Sequence, residues 1–431
     1  MNKNLKALSL FSGCGGMDLG FEGGFNVHKS CINLKMHPDW IQKGKTNTNW
    51  PKLMPTKFQM VFANDIRPGS QKSWTLFFKK NLNFNENIFH LESIVDRVKR
   101  HWNGEKNLFP HNVDIVTGGF PCQDFSVAGK RKGLKSHKSY NGDILKTPTE
   151  ENRGRLYIWM REVIDIVKPK IFIAENVKGL ISLGDAKNII QNDFQDIGTK
   201  GYIVTQGHVL HSAEYGVPQS RERVFFIGFR KDALNSEVLE DMSKETISEE
   251  LNPFPLKTHS PTGDPPSNLM PFVTLRKIFK GLKEPEQSKD LDQRAYSKAK
   301  WYGNHCQGNK EVSLNRIGPT IRAEHHGNIE FRRLSKEHGG INVKELSNGL
   351  LERRLTVREC CRIQTFPDSY KFLSEKKGEG VSTSEAYKLI GNAVPPLLAY
   401  HLAKRLEAIW PKVFKGQNKM TRITKEEQAW I

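Results

Sequence analysis

Residues 7–22 read ALSLFSGCGGMDLGFE. A short apolar run of strand type ends in glycines at 13, 15 and 16, and a helix-like segment opens at Met17. Strand, glycine turn and helix in that order begin a parallel α/β unit, and such a turn lets a ligand approach bare backbone. The spacing is not G-x-G-x-x-G followed by a phosphate-binding lysine, so neither a dinucleotide nor a nucleoside triphosphate is the natural occupant. The next strand-like run, QMVFAND, ends on Asp65, where an acid typically bonds ribose hydroxyls. Glycine turn and acid together point to a bound nucleoside, with a purely structural turn as the alternative.

Outward from this unit, strand-like and helix-like segments alternate through the first 230 residues. DIVTGG, KIFIAEN and RVFFIGF are further apolar strands, and YIWMREVIDIV has the three-and-four spacing of a helix. The pattern predicts an α/β fold with a parallel sheet and crossover helices. From residue 236 the periodicity fades and prolines cluster at 253, 255, 261, 265, 266 and 271. It returns with LTVRECCRI and with SEAYKLIGNAVPPLLAYHLAKRLEAIW, whose last part reads as an amphipathic helix. The expected division is a main domain of residues 1–235 and 384–431 around a smaller, irregular domain of 236–383.

The 431 residues are 37% hydrophobic and 10% aromatic, enough for a real core. No run approaches the ~20 apolar residues of a membrane span. No signal peptide is read at the start, and an intracellular, cytoplasmic protein is expected. None of the six cysteines forms a C-x-x-C pair or a zinc-like spacing with histidine, so no metal is expected and any special cysteine acts alone. Lys and Arg total 66 against 47 acids, a net charge of +19 that favours a polyanionic partner over solubility alone. The cations cluster: GKRKGLKSHK follows Cys122 with five and no acid, and Arg322, Arg332, Arg333, Arg353, Arg354, Arg358 and Arg362 crowd a later region.

Three positions carry candidate chemistry. Cys122, in GGFPCQDFSVAGKRKG, sits where a strand passes into a basic loop. Nearby cations favour a reactive thiolate, and a buried core thiol is the alternative. Glu175 closes the KIFIAEN strand, at the carboxyl end where open α/β sheets place active groups. It suits an acid or a hydrogen-bond partner of a substrate nitrogen, or else an N-cap. Arg221 and Arg223 lie two apart entering a strand and are expected on one side, to hold phosphate or to solvate an edge.

Seven ordered blocks resemble the DNA (cytosine-5)-methyltransferases of bacterial restriction-modification systems: LFSGCGGMDLGFE, GGFPCQDFSVAGKRKG, RGRLYIWM, ENVKGL, QSRERVFFIG, RRLTVRECCRIQTFPDSY and YKLIGNAVPP. They span residue 8 to about 403 and leave the middle segment unmatched. The resemblance implies a Rossmann-like S-adenosylmethionine-dependent methyltransferase sheet with a target-recognition domain. It also implies catalysis by Cys122, Glu175, Arg223 and Arg221. Cys122 would attack C6 of a cytosine swung out of duplex DNA, Glu175 would meet N3, and Arg223 would lie near O2.

The cofactor set it implies is Phe11, Ser12, Gly13, Gly15, Gly16, Met17, Asp65, Ile66, Pro121, Leu156, Asn392 and Val394. The DNA set is Gln123, Ser126, Lys130, Arg131, Lys132, Thr320, Arg322 and His325. Double-stranded DNA would be the partner, a cognate restriction endonuclease the functional counterpart, and a monomer the default. The middle segment would read bases in the major groove, above all through GPTIRAEHHGNIEFRR. The same chemistry on structured RNA and a catalytically silent DNA-binding module are the rival functions.

Departures from the family pattern are visible. About thirty residues, from Val27 to Thr56, separate the first helix from the second strand. Ile66 stands where many relatives carry an aromatic. HLESI offers His90, Glu92 or Ser93 as the next cofactor contact, and SHKSYNGDILKTPTEEN lengthens the loop after Cys122. Both insertions are expected either to touch DNA or to decorate the surface.

Overall fold

The structure, a computed structural model, describes residues 5–42, 48–82, 86–121, 156–182, 185–244, 246–303, 308–323 and 329–414. The first part of the chain runs β1 (Leu5–Leu10), α1 (Gly16–Glu22), β2 (Phe58–Asp65), α2 (Pro68–Leu82), β3 (Phe89–Leu91), α3 (Ile94–Trp102) and β4 (Ile115–Gly119). It continues with α4 (Leu156–Val167), β5 (Ile171–Val177), α5 (Ala186–Gln195), β6 (Tyr202–Val204), β7 (His208–His211) and β8 (Glu222–Arg230). The later elements are short: α6 (Ser236–Met242), β9 (His259–Ser260), β10 (Met270–Pro271), α7 (Leu275–Phe279), α8 (Leu291–Arg294), β11 (Phe331–Arg333), α9 (Val343–Ser347) and β12 (Arg353–Arg354). Three helices close the described chain, α10 (Val357–Ile363), α11 (Thr383–Asn392) and α12 (Pro396–Val413). Among the described residues no helix is long and apolar enough to cross a membrane.

The sheet orders its strands β3-β2-β1-β4-β5-β8-β6, with β7 also on β8. The pairs from β3 to β5 are parallel, and β8 runs antiparallel to β5, β6 and β7. The all-parallel expectation therefore needs correcting at RVFFIGF: β8 inserts between β5 and β6 in the reverse direction. Strand order reverses between β1 and β4, so their carboxyl ends splay and leave the crevice in which such sheets bind ligands.

Parallel strands covered on both faces read as continuous apolar runs, and Ile171, Phe172, Ile173 and Ala174 of β5 are wholly buried. The chain's later part returns to its start. Gly20 of α1 packs so closely on α12 that a Cβ would lie 2.4 Å from the Ala399 methyl. Buried Glu22 accepts from Met60 N at 2.6 Å, and Glu407 of α12 accepts from Lys57 N just before β2. The single block SEAYKLIGNAVPPLLAYHLAKRLEAIW forms two helices, because Pro395 and Pro396 end α11 and start α12.

The insertion between α1 and β2 is not mere surface decoration. Val27, Cys31, Ile32, Trp40 and Leu53 are buried in the core shared by both regions of the chain. Asn33 Nδ2 donates to the carbonyls of Thr258 (3.0 Å) and Asn268 (2.7 Å), and Trp40 stacks on His37 at 3.8 Å against Tyr400 and His401. The Arg362 guanidinium lies 4.4 Å over the Trp50 ring. The segment braces the irregular region onto the sheet. The second insertion, residues 136–152, lies outside the described residues.

Candidate active site

A cavity of about 250 Å³ opens at the carboxyl ends of β1, β2, β4 and β5, with the α11–α12 junction as its opposite wall. Phe11, Ser12, Gly13, Gly16, Met17, Asp65, Ile66, Pro121, Leu156, Asn392 and Val394 all line it. Gly15 does not: it caps α1 and faces Trp74 and Phe78. The turn after β1 is sharp. Phe11 adopts φ 53°, an uncommon conformation for a residue with a side chain, and Gly13 follows at φ 55° with open space where a Cβ would stand. Gly16 is needed for a different reason, since a Cβ there would sit 2.3 Å from the Val394 carbonyl.

Asp65 ties this turn to β2. Its Oδ2 accepts from Gly13 N at 3.0 Å and its Oδ1 from Arg67 N at 2.8 Å. A carboxylate has about four acceptor sites, so Asp65 keeps acceptor capacity for a ligand hydroxyl. Asp18, in the first turn of α1, accepts from Ser9 Oγ at 2.6 Å and Trp74 Nε1 at 2.7 Å. Burial pushes its pKa up to about 6, against those two hydrogen bonds. Burial also raises Asp65, opposed by the Arg67 and Gly13 amides.

The Thr117 hydroxyl on β4 is buried at the cavity wall without a hydrogen-bond partner among the described residues. Along HLESI, Glu92 and Ser93 line the cavity with Ile94 and Val95, whereas His90 stacks on Phe62 at 4.5 Å. Glu92 is held by Arg97 and, at 2.8 Å, by Arg100, while Ser93 caps α3. Carboxylates with spare acceptor sites, an orphaned hydroxyl and the apolar Phe11 and Ile66 together fit an adenosyl group carrying a positive centre. Among the described residues no His, Cys, Asp or Glu group could hold a metal ion.

The reactive end of the cavity is built by strand register. Glu175 pairs with Phe225 and Val177 with Arg223, so Glu175 and Arg223 are diagonal neighbours on one face. Their Oε1–Nε distance is 3.0 Å, and both line the cavity. Burial raises the Glu175 pKa, while Arg223 and Arg221 oppose the rise, so the carboxyl holds a proton more readily than an exposed glutamate. A Cβ on Gly119 would come within 2.8 Å of Glu175 Oε2, so this glycine of GGFPC admits the carboxylate.

Asn176, which sequence reasoning passed over, donates from Nδ2 to the Phe120 carbonyl at 3.1 Å. Its position beside Glu175 was the available signal, and it anchors the backbone just before Pro121. Cys122 follows Pro121 directly in the chain and lies outside the described residues, as do Gln123, Ser126, Lys130, Arg131, Lys132 and His325.

Arg221 and Arg223 do not act on one side. Arg221 lies ahead of β8, is 1% exposed, does not line the cavity, and donates to backbone carbonyls at Ile321, Gly391 and Ala393. Thr320 donates to the Ser220 carbonyl, and Arg322 pairs with Glu330 at 3.2 Å. The arginine cluster that read as a polyanion surface is mostly interior. Arg333 and Arg353 grip Glu284, Arg332 and Arg333 grip Glu345, and Arg353 also holds Glu359. Arg358 is fully buried between Asp290 and Asp292, and Arg354 donates to the carbonyls of Ala299, Lys300, Gly308 and Ile329. Arg362 holds Asp368 at 2.5 Å. These six cations stitch the irregular region together and leave little charge for phosphates.

A family model described as C-5 cytosine-specific DNA methylase matches residues 5–408. The Type II methyltransferase M.BsuRI of Bacillus subtilis is 30% identical over 438 residues, an alignment covering 98% of this chain and 84% of the relative. The Type II methyltransferase M.NgoFVII of Neisseria gonorrhoeae is 28% identical, with 98% and 92% covered. Among solved structures, the Dnmt2 methyltransferase of S. pombe superposes with a TM-score of 0.51 at 16% identity, covering 94% of this chain and 99% of that one. The Entamoeba histolytica methyltransferase EhMeth gives 0.52 at 15% identity, with 94% and 98% covered. At such low identity these two likenesses concern the fold alone.

Proposed function

Because this chain belongs to the C-5 cytosine-specific DNA methylase family, and so is a DNA (cytosine-5)-methyltransferase, we propose that its cavity holds S-adenosylmethionine beside a cytosine flipped out of duplex DNA. The observation that carries the reading is the Glu175–Arg223 pair, buried in the same cavity as the Gly13–Asp65 turn. Asp65 holds the ribose hydroxyls, Phe11 and Ile66 flank the adenosyl group, and Asn392 and Val394 close the opposite wall. Glu92, Ser93 and Ile94 stand at the adenine end, so of the candidates in HLESI, His90 drops out.

Flipping the base costs a few kcal/mol, and the basic run after Cys122 supplies cations for the phosphates that offset it. The Cys122 thiolate forms a bond to C6, and the C5–C6 electron pair shifts to make C5 nucleophilic. Glu175 holds the proton at N3 through this step, and its raised pKa suits that task. Arg223 keeps the carboxyl in place and faces O2. Bound S-adenosylmethionine supplies an electrophilic methyl group to C5. Methyl transfer leaves S-adenosylhomocysteine as a neutral thioether, and loss of the C5 proton to solvent then restores the C5–C6 double bond and expels the Cys122 thiolate.

Residues 1–235 and 384–431 form the catalytic part in this reading, and 236–383 read the target, with Thr320, Arg322 and His325 toward the DNA. The relatives' Type II designation supports a role in protecting host DNA from a cognate endonuclease; a monomer in a bacterial cytoplasm completes the proposed reading. Methyl-labelled S-adenosylmethionine with unmethylated duplex plasmid tests the reading. The wild-type protein labels DNA and not RNA, and Glu175→Gln loses at least about a hundredfold in rate. Equal labelling by the variant would sink the assignment.

A further inference from the structure

Arg221 has three backbone acceptors in two separate segments. Nη1 donates to the Ile321 carbonyl at 3.1 Å, and Nη2 donates to the Gly391 and Ala393 carbonyls, each at 2.9 Å. The first segment carries Thr320 and Arg322, and the second is the cavity wall of Asn392, Ala393 and Val394. Two glutamines with no solvent exposure join the same segments. Gln219 accepts from Ile321 N at 3.0 Å and donates to Gln364 Oε1 at 2.7 Å. Gln364 in turn donates to the Ile390 carbonyl at 2.6 Å and the Ala393 carbonyl at 3.2 Å.

The backbone leaves no slack between the segments. Ser220 N donates to the Gly318 carbonyl at 2.8 Å, Gly318 N donates to the Pro218 carbonyl at 2.9 Å, and a Cβ on Gly391 would meet the Arg322 carbonyl carbon at 2.4 Å. Beyond them, the Val394 carbonyl abuts Gly16 of the first turn. A continuous packed path therefore runs from Thr320 and Arg322 to the glycine turn.

We propose that Arg221 is a positioning residue that, with Gln219 and Gln364, locks the segment Gly318–Arg322 to the Gly391–Val394 wall, so that DNA and cofactor each tighten the other's binding. The proposal rests on the assignment of those two surfaces to DNA and to S-adenosylmethionine. A charged donor to buried carbonyls is strong and directional, and a fork can bridge three acceptors that a single ammonium cannot. Because the two segments are held as one unit, a displacement of either by its own ligand carries the other with it, and by linkage the effect is reciprocal.

The test is Arg221→Lys in the full chain, which keeps the cation and loses the fork. With labelled S-adenosylmethionine and unmethylated plasmid, KM for both rises about tenfold, kcat stays within about threefold, and the pH–rate limbs do not move. In binding assays S-adenosylhomocysteine tightens the wild-type protein on the plasmid about tenfold, and the variant loses that gain. Gln364→Met gives the same paired rise in KM, and it decides the matter if Arg221→Lys does not fold.

A hundredfold fall in kcat at unchanged KM would make Arg221 catalytic instead. A moved pH profile at unchanged KM would show that it acts through the charge of Glu175. A lower melting temperature with wild-type KM values would reduce it to scaffold. Each of these overturns the proposal. Failure of the wild-type protein to label DNA would refute the methyltransferase reading, and the S-adenosylhomocysteine–plasmid coupling on the same protein still decides the positioning claim.

Discussion

Two adjacent glycines offer a sharp contrast. A methyl group on Gly119 would stand 2.8 Å from Glu175 Oε2, inside the roughly 3.4 Å of ordinary contact, so the carboxylate must withdraw by about 0.6 Å. It cannot do so freely, because its other oxygen is held 3.0 Å from Arg223 Nε in a buried site. Misplacing a reacting group by ~1 Å can lower a rate about a hundredfold, so Gly119→Ala should reduce kcat roughly ten- to thirtyfold. Its effect on unfolding free energy should stay near ~1 kcal/mol, since no cavity and no unpaired charge is created.

Gly118→Ala is the control. Its new methyl meets Met160 Sδ at 2.8 Å, the pliable end of a long side chain, and turnover should stay within about threefold of wild type. Steady-state methyl transfer to unmethylated plasmid, with urea unfolding in parallel, measures both. Wild-type kcat in Gly119→Ala, or equal losses in the two variants, would refute the role given to the Glu175 carboxylate.

Other consequences concern stability. Arg358→Ala leaves Asp292, itself without solvent exposure, unpaired beside Asp290, and should lower unfolding free energy by about 3–5 kcal/mol in urea titration. His259, wholly buried, has its pKa lowered to about 4 by burial, so the folded state keeps it neutral, with Thr258 Oγ1 and the Ser30 carbonyl at its two ring nitrogens. Its stabilising contribution is complete above pH 6.5 and is lost as pH falls toward 4, with a slope of up to ~1.4 kcal/mol per pH unit. His259→Gln should reduce the slope of the unfolding free energy across that window by one proton's share, and an unchanged slope would place that proton uptake elsewhere.

Much of the catalytic half was legible in the chain because its signals are local. Apolar runs ending in Asp65, Gly119 and Glu175 mark β2, β4 and β5, and each delivers its last residues to one cavity. Direction and partnership are not local. Nothing within RVFFIGF states that β8 runs against β5, since that depends on which edge of the sheet is open when the strand arrives. The arginines of residues 332–362 displayed their sign but not their partners, and Arg358 meets Asp290 and Asp292 from a distant part of the chain. Trp40 and Cys31 lie in the insertion expected to touch DNA or decorate the surface, and only the fold encloses both in the core, with Trp40 against Tyr400 and His401. Arg221 and Arg223 shared a spacing, yet only the second lies within a regular strand pair.

In the proposed reaction Cys122 and Glu175 direct the methyl group to C5 of cytosine. Nucleoside mass spectrometry of plasmid DNA incubated with S-adenosylmethionine tests it most directly. The wild-type protein should produce 5-methyldeoxycytidine, and Cys122→Ala should produce none. Methyl groups on N4 of cytosine or N6 of adenine, or 5-methyldeoxycytidine from the Cys122→Ala variant, would contradict it.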